Sequence, residues 1–282
     1  MNRRRFAFLT AAGTIASALV GLIPRGPAAA SKQVTSTDVD RSMSAAKRSA
    51  RLQIAMLVYP EFTAQDLIGP HTFLASLANA DVHLVWKNKN AVPLDRGAPG
   101  TAIVPTTTFT GCPRDLDLIF VPGGLSGTIK AMNDDSVTDF LADRGLRARY
   151  VTSVCTGSLV LGCAGLLKGY NATSHWATRD ILSTLGATPV AERVVTDRNR
   201  ITGAGVTSGI DFGLVLTARL RDATYAQMLQ LLNEYDPHPP YQAGNPEEAG
   251  PALTHEVESW LAPGIESLKE AAARAQAKRK LS

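Results

Sequence analysis

The sequence predicts an α/β fold: a mostly parallel, doubly wound sheet with helices on both faces. Three observations carry this. Short apolar runs alternate along the chain with longer helical segments, the pattern of βαβ units. Two of those runs, Gln53–Tyr59 and Asp117–Val121, are almost continuously apolar, as strands buried on both faces must be. The runs end in turn chemistry, at Pro60, at Pro122-Gly123-Gly124 and at Cys155-Thr156-Gly157.

Taken in order, the first 30 residues read as an export leader of the twin-arginine type. Arg3-Arg4-Arg5-Phe6 precedes an uncharged stretch from Phe6 to Ile23, and Ala28-Ala29-Ala30 offers a small-residue cleavage site. A retained anchor is the alternative, although the stretch barely reaches spanning length. A periplasmic or extracellular protein is therefore expected. Residues 31–50 are polar and read as a flexible linker. The globular pattern starts near residue 51 with a first strand ending at Pro60. A helix is expected around Pro70–Ala78, a second strand at Val82–Trp86, and a possible hairpin element at Val104–Phe109. Asp117–Val121 is a third strand and Asp135–Arg147 a helix. Tyr150–Val154 is a fourth strand, leading directly into a helix from Thr156 to about Leu166. A helix near Trp176–Leu185 precedes a hairpin turning at Asp197-Arg198-Asn199. An apolar helix over about Gly209–Leu220 follows, with further helix after it. Asp236–Gly250 is Pro-rich and extended. Residues 251–282 form a helical extension in which Ile265–Lys280 reads as an exposed amphipathic helix.

The formal net charge is +4. Four arginines and no acids lie in the first 30 residues, so the leader accounts for all of it and the remainder is balanced. No basic nucleic-acid-binding face is implied, and no later segment is apolar enough to suggest a stable membrane partner. Cysteines number three, Cys112, Cys155 and Cys163; an odd count leaves a free thiol in an oxidising compartment. Cys155 and Cys163, eight residues apart on one predicted helix, are separated by about 12 Å of rise, beyond disulfide reach. Neither a CxxC pair nor Cys/His metal spacing occurs, so no metal site is expected.

The chemistry concentrates at Tyr150–Gly162. A buried strand runs into Cys155, then a sharp turn, then a helix, which is the arrangement that pushes a nucleophile out at the carboxyl end of a sheet. The helix N-terminus favours negative charge there, so a lowered thiol pKa is expected for Cys155. Gly123 and Gly124, just past another strand, can present backbone N–H groups as an oxyanion hole. Asp66, just past the first strand, reads on its own as a helix cap. In a doubly wound sheet, however, it converges with Gly123 and Cys155 on one crevice. His175 is either a base for Cys155 or a supporting residue.

These residues resemble the ThiJ/PfpI-like superfamily, with its class I glutamine amidotransferase-like fold. The resemblance rests on Cys155-Thr156-Gly157-Ser158-Leu159-Val160-Leu161-Gly162, Ala164–Leu167, and Ala172-Thr173-Ser174-His175-Trp176-Ala177. Asp66-Leu67-Ile68-Gly69-Pro70, Pro122-Gly123-Gly124, Gly203–Asp211 and Glu234–Pro240 add to it. Within the superfamily the chain is most similar to the isonitrile (cyclohexyl-isocyanide) hydratase group, over about residues 52–250. The resemblance implies a flavodoxin-like homodimer acting on a small molecule without metal or cofactor. It also implies Cys155 as nucleophile with Asp66 hydrogen-bonded near its sulfur, and a pocket shaped by Thr156 and the Gly123/Gly124 backbone.

The sequence departs from peptidase-like members, which carry His directly after the nucleophile where Thr156 stands here. Many hydratases have Thr at the position of Ile68. Relatives fused to DNA-binding domains share the Cys and His-Trp motifs, but no helix-turn-helix pair is evident here. The implied reaction is hydration of an isonitrile to an N-substituted formamide through a Cys155 thioimidate. Another cysteine-dependent hydrolase or glyoxalase-like enzyme, or a non-enzymatic redox-sensing protein, are the alternatives.

Overall fold

The structure, a computed structural model, describes residues 33–95 and 100–281. The chain divides into two units, Met1–Val34 and Thr35–Ser282. The export leader expected at residues 1–30 lies outside the described residues, and every element below belongs to the second unit.

A helix α1 (Ser36–Arg48) precedes strand β1 (Leu52–Leu57), helix α2 (Ala64–Leu74) and strand β2 (Ala80–Trp86). Three two-residue strands follow: β3 (Val92–Pro93), β4 (Ala102–Ile103) and β5 (Thr107–Thr108). Next come β6 (Leu118–Val121), α3 (Leu125–Met132), α4 (Asp135–Arg147), β7 (Tyr150–Val154) and α5 (Gly157–Cys163). A short β8 (Asn171–Ala172), a 3₁₀ helix at Arg179–Leu185 and β9 (Thr188–Pro189) lead to the hairpin β10 (Val194–Asp197) and β11 (Arg200–Gly203). Helices α6 (Ser208–Leu220), α7 (Ala223–Leu232) and α8 (Pro246–Leu281) complete the unit.

The main sheet has the order β10-β11-β7-β6-β1-β2-β5, parallel except where β10 runs against β11. Helices pack in two groups, α1, α2, α6 and α7 in one and α3, α4, α5 and α8 in the other. This is the doubly wound α/β fold expected from the strand–helix alternation. β6 and β7 bury every residue but Tyr150, and β1 all but Gln53, so burial is near-continuous rather than alternating, with the polar Thr152 and Ser153 of β7 buried among apolar residues. The chain winds outward from β1 through β2 in one direction and from β6 through β7 in the other. The reversal lies between β1 and β6, where doubly wound sheets open their crevice.

Four local expectations are corrected. Residues 31–50 are not wholly a flexible linker, because Ser36–Arg48 is a capped helix. Thr35 Oγ1 accepts from the Asp38 amide at 3.3 Å and the Asp38 carboxylate accepts from the Thr35 amide at 3.1 Å. Ser42 then donates to Asp222, the N-cap of α7, at 3.0 Å, and Ala46 is buried. The segment looks polar because only a few of its residues, Ser42, Met43 and Ala46 among them, face the protein.

The first helix begins at Ala64 rather than near Pro70. Pro70 sits inside α2 because α6 presents Gly209 and Gly213 to it, and the close packing offsets the missing hydrogen bond. Val104–Phe109 is not a hairpin arm. Thr107–Thr108 pairs in parallel with the open edge of β2, and Phe109 anchors it by stacking on Phe140 at 4.3 Å. The short antiparallel pair is instead β3 with β4.

Finally, the extension is not simply exposed. Leu268, Ala271 and Ala272 of α8 are fully buried, and the small Ala and Gly264 side of the helix lets it close on Leu125 of α3. Arg279 donates to the carbonyls of Gly162 and Cys163 at the end of α5. The sequence missed α3, whose first residue follows the Gly123-Gly124 turn directly.

Candidate active site

Three adjacent strands, β1, β6 and β7, deliver Asp66, Gly123 and Cys155 to one place. Cys155 takes φ of 56°, the left-handed region that non-glycine residues rarely occupy. Hydrogen bonds hold it there. Its amide donates to the carbonyls of Gly203 and Ala204 at 3.1 and 2.8 Å. Its carbonyl accepts from the hydroxyls of Ser158 and Ser174, both at 3.1 Å. The turn has the strained geometry expected of a nucleophile elbow. Gly157 is required in it, since a Cβ there would overlap the carbonyls of Val121 and Pro122.

Asp66 lies in the first turn of α2 and is fully buried. It does not cap its own helix. Its Oδ2 accepts from the Gly123 amide at 2.8 Å. The second oxygen, Oδ1, has no hydrogen-bond partner, and the Cys155 thiol adjoins the carboxyl. Burial pushes the carboxyl up to about 7, against the opposing effects of the Gly123 amide and the Cys155 thiol. A Cβ on Gly123 would lie 2.6 Å from Asp66 Oδ2, 2.6 Å from the Thr156 amide and 2.7 Å from Cys155 Cβ. Only glycine lets these three groups meet.

The thiol does not have the lowered pKa expected from the helix N-terminus. Burial, and then the Asp66 charge, push Cys155 well up, outweighing the Thr156 and Val206 amides that favour the thiolate. Helix α5 is only seven residues long, too short for its dipole to offset full desolvation. Thiol and carboxyl lie side by side, and each shifts the other's protonation.

The expected oxyanion hole is not available as drawn. The Gly123 amide is occupied by Asp66, and the Gly124 amide donates to Thr156 Oγ1 at 3.0 Å. Thr156 Oγ1 also meets Thr128 Oγ1 at 2.8 Å, which in turn meets Tyr59 OH at 3.1 Å. Thr156 thus braces the turn with its side chain and offers only its amide to the sulfur. The donors that face the sulfur are the amides of Thr156 and Val206. Val206 was missed as a functional residue, although the Gly203–Asp211 stretch that holds it stood out in the sequence. Ser174 was missed too, for lack of any signal beyond its place beside His175.

His175 is half-buried, and the titratable group that acts on the Cys155 thiol is the Asp66 carboxyl. It lines a hollow of about 640 Å³ together with Ser174, Trp176, Arg179, Ala191 and the Ala204–Thr207 turn. Cys155 itself is 6% exposed and does not line the hollow, but three of the lining residues touch it: Ser174 and Ala204 at its backbone and the Val206 amide at its sulfur. Among the described residues, no group of three or more His, Cys, Asp or Glu gathers in a form that would hold a metal.

Residues 52–219 match the DJ-1/PfpI family. The chain belongs to that family. It is 49% identical over 227 residues to an isonitrile hydratase of Pseudomonas putida, covering 80% of this chain and 97% of the relative. It is 32% identical over 127 residues to protein DJ-1alpha of Drosophila melanogaster, 44% of this chain and 58% of that one. Among solved structures, a THiJ/PfpI family protein from Pseudomonas syringae superposes with a TM-score of 0.79 at 48% identity. That match covers 87% of this chain and 98% of the other.

Proposed function

We propose that this protein hydrates isonitriles to N-substituted formamides, as a cysteine-dependent hydro-lyase. The observation that carries the reading is the buried Cys155–Asp66 pair, with one carboxyl oxygen unpartnered and a carboxyl held near neutrality. The similarity to the Pseudomonas putida isonitrile hydratase over nearly its whole length supports it.

The chemistry needs one group that shuttles a proton and one that attacks. Asp66 takes the thiol proton as Cys155 Sγ adds to the terminal carbon of the isonitrile. The resulting carbon anion accepts that proton back from Asp66 Oδ1, giving a thioimidate, R–N=CH–S–Cys. Asp66, again a carboxylate, deprotonates a water that adds to the same carbon, and passes that proton to the nitrogen. Collapse expels the sulfur, which recovers its proton, and leaves R–NH–CHO. One water is consumed and no electrons are exchanged. A carboxyl near 7 suits both halves, since each form is accessible at neutral pH. The Thr156 and Val206 amides hold the departing thiolate. In this reading the protein works on a small molecule as an exported homodimer.

The test is incubation of wild type, Cys155→Ala and Asp66→Asn proteins with an alkyl isonitrile, following the formamide proton by NMR. Formamide from wild type alone supports the assignment. Turnover by Cys155→Ala, or near-normal turnover by Asp66→Asn, would overturn the roles. Absence of product with wild type would overturn the reaction.

A further inference from the structure

The hollow beside the nucleophile carries a donor that the hydration chemistry does not use. His175 Nδ1 accepts a hydrogen bond from the Ala177 amide at 3.3 Å. A ring nitrogen that accepts cannot carry the proton, so the neutral ring bears its hydrogen on Nε2. Burial favours that neutral form. Nε2 has no hydrogen-bond partner among the described residues, and the ring lines the hollow. Gly205 makes room for it, since a Cβ there would lie 2.9 Å from His175 Cδ2. The ring orientation is thus fixed from two sides, by the Ala177 amide and by the Gly205 backbone.

The hollow has a definite relation to the reacting sulfur. Its lining includes Val206, whose amide faces Sγ, and Ser174, whose hydroxyl holds the Cys155 carbonyl. An isonitrile is linear at its reacting end, so its N-substituent must project away from the sulfur. At about 640 Å³ the hollow is far larger than a methyl group requires. Trp176, Ala191, Ala204 and Val206 offer it apolar surface, while exposed Glu192 and Glu247 line the same space. Arg179 and Arg193 line it too, so the two acids are balanced by two bases and the lining selects neither sign of charge; a neutral acceptor is the group that suits the neutral His175 donor.

We infer that His175 is a specificity-determining residue whose Nε2–H hydrogen-bonds a neutral acceptor, an ether or carbonyl oxygen, on the N-substituent of the substrate. The inference rests on the hydratase reading for the identity of the reacting group. It is separable from that reading because binding can be measured without turnover.

The experiment uses cyclohexyl isonitrile and its ring-oxygen analogues, the tetrahydropyran-3-yl and tetrahydropyran-4-yl isonitriles. These match in shape and differ by one acceptor. Affinities are measured by Trp fluorescence on the Cys155→Ala protein, alone and with His175→Phe or His175→Gln added. At least one ring-oxygen analogue is expected to bind about three- to tenfold more tightly than cyclohexyl isonitrile, the usual effect of one neutral hydrogen bond. His175→Phe should erase the preference while leaving cyclohexyl binding in place, and His175→Gln, which keeps a donor, should restore part of it. Equal affinities in the parent protein, a preference that survives His175→Phe, or no binding of any isonitrile would overturn the inference. Turnover by wild type is scored separately. Formamide production without an acceptor preference overturns the His175 role alone. A preference without formamide production overturns the hydratase reading alone.

Discussion

Replacing Asp66 by Asn should stabilise the protein at alkaline pH while removing its activity, and the size of the effect follows from the structure. Asp66 is held at about 7 by burial, against an ordinary 3.8. A group whose folded pKa is raised stabilises the fold when protonated, and that contribution is lost as pH climbs through the folded value. Between pH 4 and pH 8 the wild-type protein should therefore lose about 4 kcal/mol relative to a variant that cannot ionise there, at about 1.4 kcal/mol per pH unit. Asn preserves the rest of the site, because its side-chain oxygen still accepts from the Gly123 amide. The assay is urea unfolding of both proteins at half-unit steps from pH 4 to pH 8, reported as the difference between them, so that other titrating groups cancel. The reasoning is refuted if that difference stays flat within about 1 kcal/mol, since ionising Asp66 would then carry no folding penalty. The same value places the acid limb of activity: turnover should fall as pH drops below about 7, where Asp66 is protonated and cannot take the thiol proton.

Three further outcomes test the remaining parts of the site and its supports. Gly123→Ala should fold yet lose at least about a hundredfold in turnover, because a Cβ 2.6 Å from Asp66 Oδ2 must drive the carboxyl from the sulfur; steady-state kinetics beside a thermal melt separates the two effects. Thr156→Val leaves the buried Gly124 amide without its acceptor and should cost about 1–3 kcal/mol in denaturant unfolding. Leu268→Ala should cost about 2–5 kcal/mol as a fully buried truncation, whereas a freely exposed α8 would show almost no change.

Much of the fold was legible in the chain, for identifiable reasons. Tyr150–Val154 and Asp135–Arg147 emerge with the bounds that their patterns imply, because a doubly buried strand is short, rich in β-formers and uncharged, and a surface helix must repeat at helical spacing. The hairpin turning at Asp197–Asn199 is equally local, with Arg198 at φ of 53°. Cys155 stood out because a strand running straight into a helix leaves its junction residue few conformations. The convergence of Asp66, Gly123 and Cys155 followed from the rule that strand ends of a doubly wound sheet share a crevice.

What the sequence could not decide were the quantities set by distant neighbours. The start of α2 depends on Gly209 and Gly213 making room for Pro70, some 140 residues away. The docking of α1 depends on Asp222, and that of α8 on Leu125 and the end of α5. The protonation of the site is the sharpest case. Sequence placed a thiol at a helix N-terminus and so implied a thiolate. Only the folded structure decided that both groups lose their water, that Gly123 donates to Asp66 rather than to a reacting oxygen, and that desolvation outweighs the helix. Local pattern determines which residues share a crevice, because strand order and turn chemistry are encoded nearby. The electrostatics inside it are a sum over everything packed around it, and that sum exists only once the chain has folded.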